Sequence, residues 1–242
     1  MNLPLETRIR MADLNIIIKH RHPATAGICR DYVAAFDDAQ ADLSVWATDE
    51  DIRLEREAAQ EDFSEGYVES VCVYRNICRC LPSRGALLFH AAVIADGDRG
   101  YGFSAPSGTG KSTHILLWRE TFGDGIVIVN GDKPILRRRE DGWYAYGTPW
   151  CGKEGWNTNR NVRLCGLCFL ERGDVNVIER LPAEQIASRA IRQVIIPREP
   201  AQALATLRLM DQLKKEIPHW ILRCTVSSEA ACVAREAMGQ EV

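Results

Sequence analysis

Hydrophobic and polar positions along this chain fall into short blocks whose period keeps changing, and each change marks an element. Residues 12–19 (Ala-Asp-Leu-Asn-Ile-Ile-Ile-Lys) are rich in β-branched side chains and predict a strand. Ala24–Phe36, following Pro23, predicts a short helix, and Leu43–Ala47 a second strand. Thr48-Asp-Glu-Asp51 opens with a capping-box pattern and leads into a charged segment that runs through Asp62. In Glu65–Leu81, Val68, Val71, Cys72, Ile77 and Leu81 recur near helical spacing until Pro82 closes the run. The block 1–83 therefore reads as a small α/β segment packed on the remainder of the chain.

The texture changes at Gly85. Ala86–Ala95 is a near-continuous apolar run that ends at the turn signal Asp96-Gly97-Asp98, and Gly100–Ser104 would complete a hairpin. Ser112–Thr121 predicts a helix, and the wholly apolar Ile126–Val129 a strand buried on both faces. Ile135–Leu136 and Trp143–Tyr146 flank a polar turn as a second hairpin. Val162–Glu171 is another apolar strand, with Val175–Arg180 after it. Helices over Ala183–Val194 and Ala201–Ile217, a strand over Ile221–Thr225 and a helix over Ser228–Met238 complete the chain. Strands alternating with helices define an α/β protein with a mixed sheet over 84–242, and neither a repeat nor a linker interrupts it.

Composition narrows the function classes. A chain of 242 residues can bury a full core. Its net charge of −3 provides no general attraction to nucleic acid or an anionic membrane. Arg137-Arg138-Arg139 runs straight into Glu140-Asp141 and reads as a solvated turn. No stretch approaches the ~18 apolar residues of a membrane span, and the first residues lack the apolar core of a signal peptide, so a cytoplasmic protein is expected. Nine cysteines are an odd number for a paired framework. Cys78/Cys80 and Cys165/Cys168 have chelating spacing, but the second pair lies in an apolar strand where thiols act as small hydrophobes, and the core reading is preferred.

The chemistry concentrates in Ser104–His114, Ser-Ala-Pro-Ser-Gly-Thr-Gly-Lys-Ser-Thr-His, which comes after a strand and opens a helix. Phosphate-binding loops carry Gly, four residues, then Gly-Lys-Ser/Thr in that setting; here Ala105 takes the first position. Gly108 and Gly110 let successive amides turn inward, so Ser107, Gly108, Thr109, Gly110, Lys111, Ser112 and Thr113 are the nucleotide-binding candidates. Lys111 would reach the terminal phosphates of ATP, and the Ser112 hydroxyl would ligate Mg²⁺.

Asp132 comes just after the strand Ile126–Val129, where a carboxylate can face the metal, although Asn130-Gly131-Asp132 also reads as a simple turn. His90 interrupts the apolar run ahead of the loop, as a core histidine or as a ring facing the γ-phosphate. His114 reads as packing or surface. Gly147–Trp156, with its glycines, two tryptophans and Lys153, is either a rigid corner or a substrate-facing lid, and Lys153 suits a phosphate or carboxylate. Arg160 and Arg163 could hold an anion or simply be solvated.

Taken together, His90 in Leu-Leu-Phe-His-Ala-Ala-Val-Ile, residues 106–113, Ile-Val-Asn-Gly-Asp-Lys-Pro-Ile-Leu at 128–136 and Thr-Pro-Trp at 148–150 resemble the HPr kinase/phosphorylase catalytic domain, a relative of the phosphoenolpyruvate carboxykinases. The likeness covers about 84–180 and is strongest to HPr-kinase-related proteins, among them kinases found with peptide-maturation systems. It implies a carboxykinase-like P-loop core with a mixed sheet, the α/β segment 1–83 in front, ATP and Mg²⁺ as cofactors, and self-association. His90 matches the family His and Asp132 one acid of an acidic pair; the other acid is Gly131 here.

The basic C-terminal motif that engages HPr is not evident, which points away from HPr as substrate. The expected function is phosphoryl transfer from ATP to a hydroxyl of a peptide, protein or small metabolite, with His90, Lys111, Asp132 and Lys153 as the working residues. The alternative is a nucleotide-binding accessory protein with weak chemistry.

Overall fold

A computed structural model describes residues 5–59 and 61–240 of the chain. The N-terminal layer begins with strands β1 (Leu5–Met11) and β2 (Leu14–His20), paired antiparallel with Met11 opposite Leu14. The two turn residues, Ala12 and Asp13, have φ of 53° and 57°, the left-handed geometry that matches strand twist in a tight hairpin. β1 is not evident from the sequence: its inward residues Thr7, Ile9 and Met11 alternate with Glu6, Arg8 and Arg10, a two-residue period with little apolar mass.

Helix α1 spans only Pro23–Ile28, not the expected 24–36. The chain leaves it at Cys29, makes a single turn over Arg30–Tyr32, and then presents Val33 as a bridge to Ile9. β3 (Leu43–Val45) pairs parallel to β2.

Helix α2 (Asp49–Ala58) has the capping box, with the Thr48 side chain accepting from the Asp51 amide, and buries no residue. Helix α3 (Glu65–Cys80) starts at Ser64, whose side chain accepts from the Tyr67 amide, and buries Val68, Cys72, Val73 and Ile77. Buried Glu69 accepts from the Arg21 and His22 amides ahead of α1, at 2.7 and 2.9 Å, fixing the two helices together.

The second sheet has nine strands among the described residues. They are β4 (Ala86–Leu88), β5 (Ala92–Asp96), β6 (Arg99–Ser104), β7 (Ile126–Asn130), β8 (Ile135–Arg139), β9 (Gly142–Tyr146), β10 (Asn161–Arg172), β11 (Val177–Arg180) and β12 (His219–Cys224). The main path runs β4-β8-β9-β10-β6-β5-β7, with β12 joining β10 and β11 pairing β12. β10 changes partner along its length: residues 161–163 pair antiparallel with β9, while Leu167–Arg172 pair parallel with β12. This exchange curls the sheet. Arg137–Arg139 lie in β8 opposite Tyr144, Trp143 and Gly142, so the basic run is ladder rather than the expected solvated turn.

Helices α5 (Ala183–Ala190) and α6 (Pro200–Glu216) cover one face, burying Ile186, Leu209 and Leu213 with Val93, Leu164 and Leu167. On the other face α4 (Lys111–Phe122) and α7 (Ser228–Gly239) pack Ile115, Trp118 and Ala234 over Ile94, Phe103 and Cys168. Farther along, that side meets the N-terminal layer: Ala86, Leu88, Ile135 and Tyr146 share one apolar cluster with Ile16, Ile18, Val73 and Ile77. The Tyr146 hydroxyl also binds Asp13 Oδ2, and the Arg137 guanidinium the Ala12 carbonyl, tying the hairpin turn to the large sheet. Cys165 and Cys168 are buried in the core, and all nine cysteines are free thiols.

Candidate active site

Strand direction gathers the chemistry at one end of the sheet. β6 and β7 both pair antiparallel with β5, which lies between them. The residues leading into β5 therefore sit where β6 and β7 leave the sheet. β10 runs parallel to β6 and ends there as well. His90, the loop 105–110, Asn130–Lys133 and Arg172 are all delivered to this edge, as in other α/β sheets whose sites lie beyond strand C-termini.

The expected single strand over 86–95 is in fact two, and His90 occupies the break. The Phe89 amide still donates to the Pro134 carbonyl, one step past the β4–β8 ladder, but the His90 amide departs and donates to the Gln193 carbonyl at 2.7 Å. This detour turns the His90 ring out of the sheet, half-buried, toward Asp132.

In the glycine-rich loop, Gly108 and Gly110 have φ of 76° and 119°, and a Cβ on either would meet nothing within 4 Å. Their requirement is conformational, and the space above them is open. Ala105 is buried among Ile115, Trp118 and Phe103, so its methyl group contributes to the core under α4. Gly110 caps α4 without any side-chain acceptor, leaving first-turn amides available to an anion. The Arg172 guanidinium donates to the Gly108 carbonyl at 2.7 Å and braces the loop from β10. Ser107 and Thr113 are exposed, and Thr109 and Ser112 half-buried.

Lys111 is buried, with Nζ donating to the Ala105 carbonyl at 2.9 Å. Burial lowers the pKa of its ammonium, while the Asp132 charge works in the opposite direction.

Asp132 is the hub. Its Oδ1 lies 3.0 Å from His90 Nε2, and its Oδ2 accepts from Lys133 Nζ. Burial works to raise its pKa, but the His90 hydrogen bond and the Lys133 charge outweigh it and hold the carboxyl well below the usual range. Because a carboxylate only accepts, His90 Nε2 carries a proton. On the far side of the ring, Nδ1 faces the Gln193 side-chain amide at 3.2 Å. The amide oxygen suits an imidazolium, and the same amide turned over would donate to a neutral ring, so Gln193 can serve both protonation states.

Asn130, fully buried, builds the turn that presents Asp132. Its Oδ1 accepts from the Asp132 and Lys133 amides at 2.9 and 2.6 Å, and its Nδ2 donates to the Thr148 carbonyl at 3.1 Å.

The segment 147–156 has a buried corner and an exposed turn. Thr148, Trp150 and Cys151 are buried, with Trp150 stacked on Tyr74 at a ring separation of 4.4 Å. Residues 152–155 form an exposed turn whose Glu154 charge reaches Lys111. Lys153 sits on that turn and makes no hydrogen bond or ion pair among the described residues. Gly131 lies beneath the segment, where an added Cβ would stand 3.2 Å from the Cys151 carbonyl oxygen. Loop backbone therefore lines the space beside Gly131.

Arg163 is separated from this group, since it pairs opposite Arg99 at the other end of β6. His114 is buried, its Nε2 accepting from Trp118 Nε1 at 3.1 Å, which makes it a packing residue. Lys133, Gln193 and Arg172 do not stand out in the sequence. Only Lys133 carries a signal, its position beside Asp132.

No family model matches the chain, and no curated protein matches it. Among solved structures, the chain is similar to the HPr(Ser) kinase/phosphatase from Coxiella burnetii, at 10% identity and a TM-score of 0.37. That similarity covers 63% of this chain and 97% of the other. It is a distant structural relationship.

Proposed function

We propose that the chain binds ATP with Mg²⁺ and transfers a phosphoryl group to a hydroxyl of a peptide, protein or small metabolite. The observation that carries this reading is the delivery of Lys111, on an open glycine-rich loop, and the paired His90 and Asp132 to the same sheet edge. Phosphoryl transfer is mostly positioning and charge stabilisation, and this edge supplies both. The open space over Gly108 and Gly110 and the uncapped start of α4 fit a polyphosphate.

Lys111, now turned onto a loop carbonyl, would swing to the terminal phosphates. Ser112 and Asp132 would hold the cation. Mg²⁺ is usually held by one or two carboxylates together with substrate phosphates and several waters. Bound Mg²⁺ would neutralise charge shared by the two outer phosphates. Asp132, or His90 on giving up one of its two ring contacts, would orient the acceptor hydroxyl and take its proton. Lys153, exposed on its turn, would meet the acceptor.

Titration calorimetry with ATP and a non-hydrolysable analogue, each with and without Mg²⁺, tests this. Binding that needs Mg²⁺ and vanishes in Lys111→Ala supports it; turnover retained in that variant rejects the mechanism. A second reading, a nucleotide-binding accessory protein with weak chemistry, is favoured by one observation. Asp132 is a single carboxylate already engaged by the His90 ring and the Lys133 ammonium, and Gly131 leaves no second acid. Tight binding with no turnover across an acceptor screen would select it.

A further inference from the structure

Sheet topology gives a bound nucleotide a direction. Lys111 follows β6 and Asp132 follows β7, and β7 lies on the β5 side of β6. A nucleotide whose terminal phosphate points toward Asp132 would leave the glycine-rich loop on the other side, over β10 and β12. β12 runs parallel to β10 and β10 parallel to β6, so the turns after β10 and β12 emerge at the same edge as the loop. Helices α4 and α7 begin there too, sharing one core cluster through Ile115, Trp118, Ala231 and Ala234.

The two turns, 173–176 and 225–227, are locked to each other. The Gly173 amide donates to the Cys224 carbonyl at 3.1 Å. Asn176 Oδ1 accepts from the Thr225 amide at 2.9 Å and from its hydroxyl at 3.2 Å. Asn176 Nδ2 donates to Ser227 Oγ at 3.2 Å and to Glu229 Oε2 at 2.7 Å. Beside this network stand Val226 and Val175, 79% and 64% exposed, the two most exposed large apolar side chains among the described residues. Single apolar residues on a surface are ordinary. These two differ in their frame: Val175 adjoins Asn176, and Val226 stands between Thr225 and Ser227, which Asn176 holds. Their β-branched side chains have little rotamer freedom left to lose on binding. Arg172, exposed at the end of β10, joins this frame to the loop through its bond to the Gly108 carbonyl at 2.7 Å.

We infer that the turns 173–176 and 225–227 form the nucleobase subsite of the nucleotide site, with the face of the base packing on Val175 and Val226. Arg172 lies between this platform and the phosphate loop, and exposed Asp174 supplies an acceptor for a ribose hydroxyl or an exocyclic amine. The polar side chains of the Asn176 network are engaged with one another, so what they give the base is a fixed frame. The inference rests on the phosphate-binding reading of the loop 105–113.

The test is titration calorimetry of the full chain at fixed Mg²⁺ with ATP and with tripolyphosphate, which keeps the phosphate chain and has no nucleoside. The double variant Val175→Ser, Val226→Ser removes apolar area without adding charge. Both positions are exposed, so its unfolding midpoint should stay at the wild-type value. Its Kd for ATP should rise roughly tenfold, while that for tripolyphosphate stays within about twofold. Lys111→Ala, by contrast, should lose both probes. An ATP affinity unchanged in the double variant, or an equal loss for the two probes, overturns the inference and leaves the phosphate site standing. Wild-type protein that binds neither probe overturns both readings together.

Discussion

His90 Nε2 stands 3.0 Å from Asp132 Oδ1 across 42 positions of sequence, and Lys133 Nζ closes on the other oxygen of the same carboxylate. Lys133 is the next residue along the chain, but the histidine reaches Asp132 only through the fold. β5 carries the histidine in and β7 carries the aspartate out, and their antiparallel pairing brings the two to the same end of the sheet.

The first consequence concerns stability against pH. The folded pKa of Asp132 is depressed, so the unfolded state binds more protons as pH falls below the ordinary carboxylate value. Its contribution is complete above about pH 4 and is lost as pH falls toward the lower, folded value. Asp132→Asn should cost about 1–3 kcal/mol at pH 7, because the carboxylate is largely buried and charge-paired. In urea titrations the gap from wild type should shrink steadily below pH 4. A gap that stayed constant down to pH 2 would mean the pairing contributes nothing.

Gln193 is a positioning residue whose effect should appear in kcat rather than in nucleotide affinity. It holds Nδ1 of His90 by its side chain and the His90 amide by its carbonyl. Gln193→Leu removes only the side-chain contact, freeing the ring to rotate. Turnover with any acceptor found should fall roughly 10- to 100-fold, while the Kd for ATP stays within about twofold. Gln193→Glu should shift the pH profile, since a carboxylate beside Nδ1 favours the imidazolium. Equal losses in affinity and turnover would assign Gln193 to the architecture instead.

A buried histidine on α4 governs a different part of the acid range. Burial lowers the His114 pKa to about 4, well below the ordinary value near 6.5. The unfolded state therefore takes up a proton that the folded state refuses. Stability on this account is full above about pH 6.5, falls as pH drops toward 4, and levels off below. The loss is on the order of 3 kcal/mol. His114→Gln keeps an acceptor for Trp118 Nε1 but does not titrate. Its unfolding midpoint should vary less than wild type between pH 6.5 and 4, with His219 supplying the remainder of the slope. A slope unchanged by the substitution would remove His114 from the account.

Local chemistry is what the sequence makes legible. The loop 105–111, the capping box at Thr48 and the Glu65 start of α3 each depend on residues a few positions apart, and each lies where expected. The break at His90 is not legible, because Leu-Leu-Phe-His-Ala-Ala-Val-Ile is apolar apart from that one residue and carries no turn signal. The partner that draws His90 out of the run, Gln193, is tertiary. α1 falls short of its expected length for the same kind of reason: a β-bridge from Val33 to Ile9 takes over residues that could have continued a helix. Gln193 carries no signal at all, since it meets His90 across 103 positions. Asn130 is visible as part of a turn, but its service to two amides and to the Thr148 carbonyl depends on how 147–156 folds back.

Gly131 tests whether the site is a reduced form of a two-acid arrangement or is built around one carboxylate. Its amide donates to the Trp156 carbonyl at 2.9 Å, and an added Cβ would lie 3.2 Å from the Cys151 carbonyl oxygen and 3.5 Å from that of Trp156. Alanine needs only a small shift of that segment and should cost less than about 1 kcal/mol. Aspartate would place a carboxylate against two backbone oxygens that offer it no donor, a loss of about 2–4 kcal/mol. Gly131→Asp should therefore unfold at lower denaturant than Gly131→Ala and turn over ATP no faster than wild type. If Gly131→Asp instead kept wild-type stability and gained turnover, segment 147–156 would be displaceable from this position. The missing acid would then be a loss the fold can still reverse. The expected result gives the opposite meaning: the backbone of 147–156 has closed over the second position, and Asp132, with His90 and Lys133 beside it, carries the carboxylate chemistry alone.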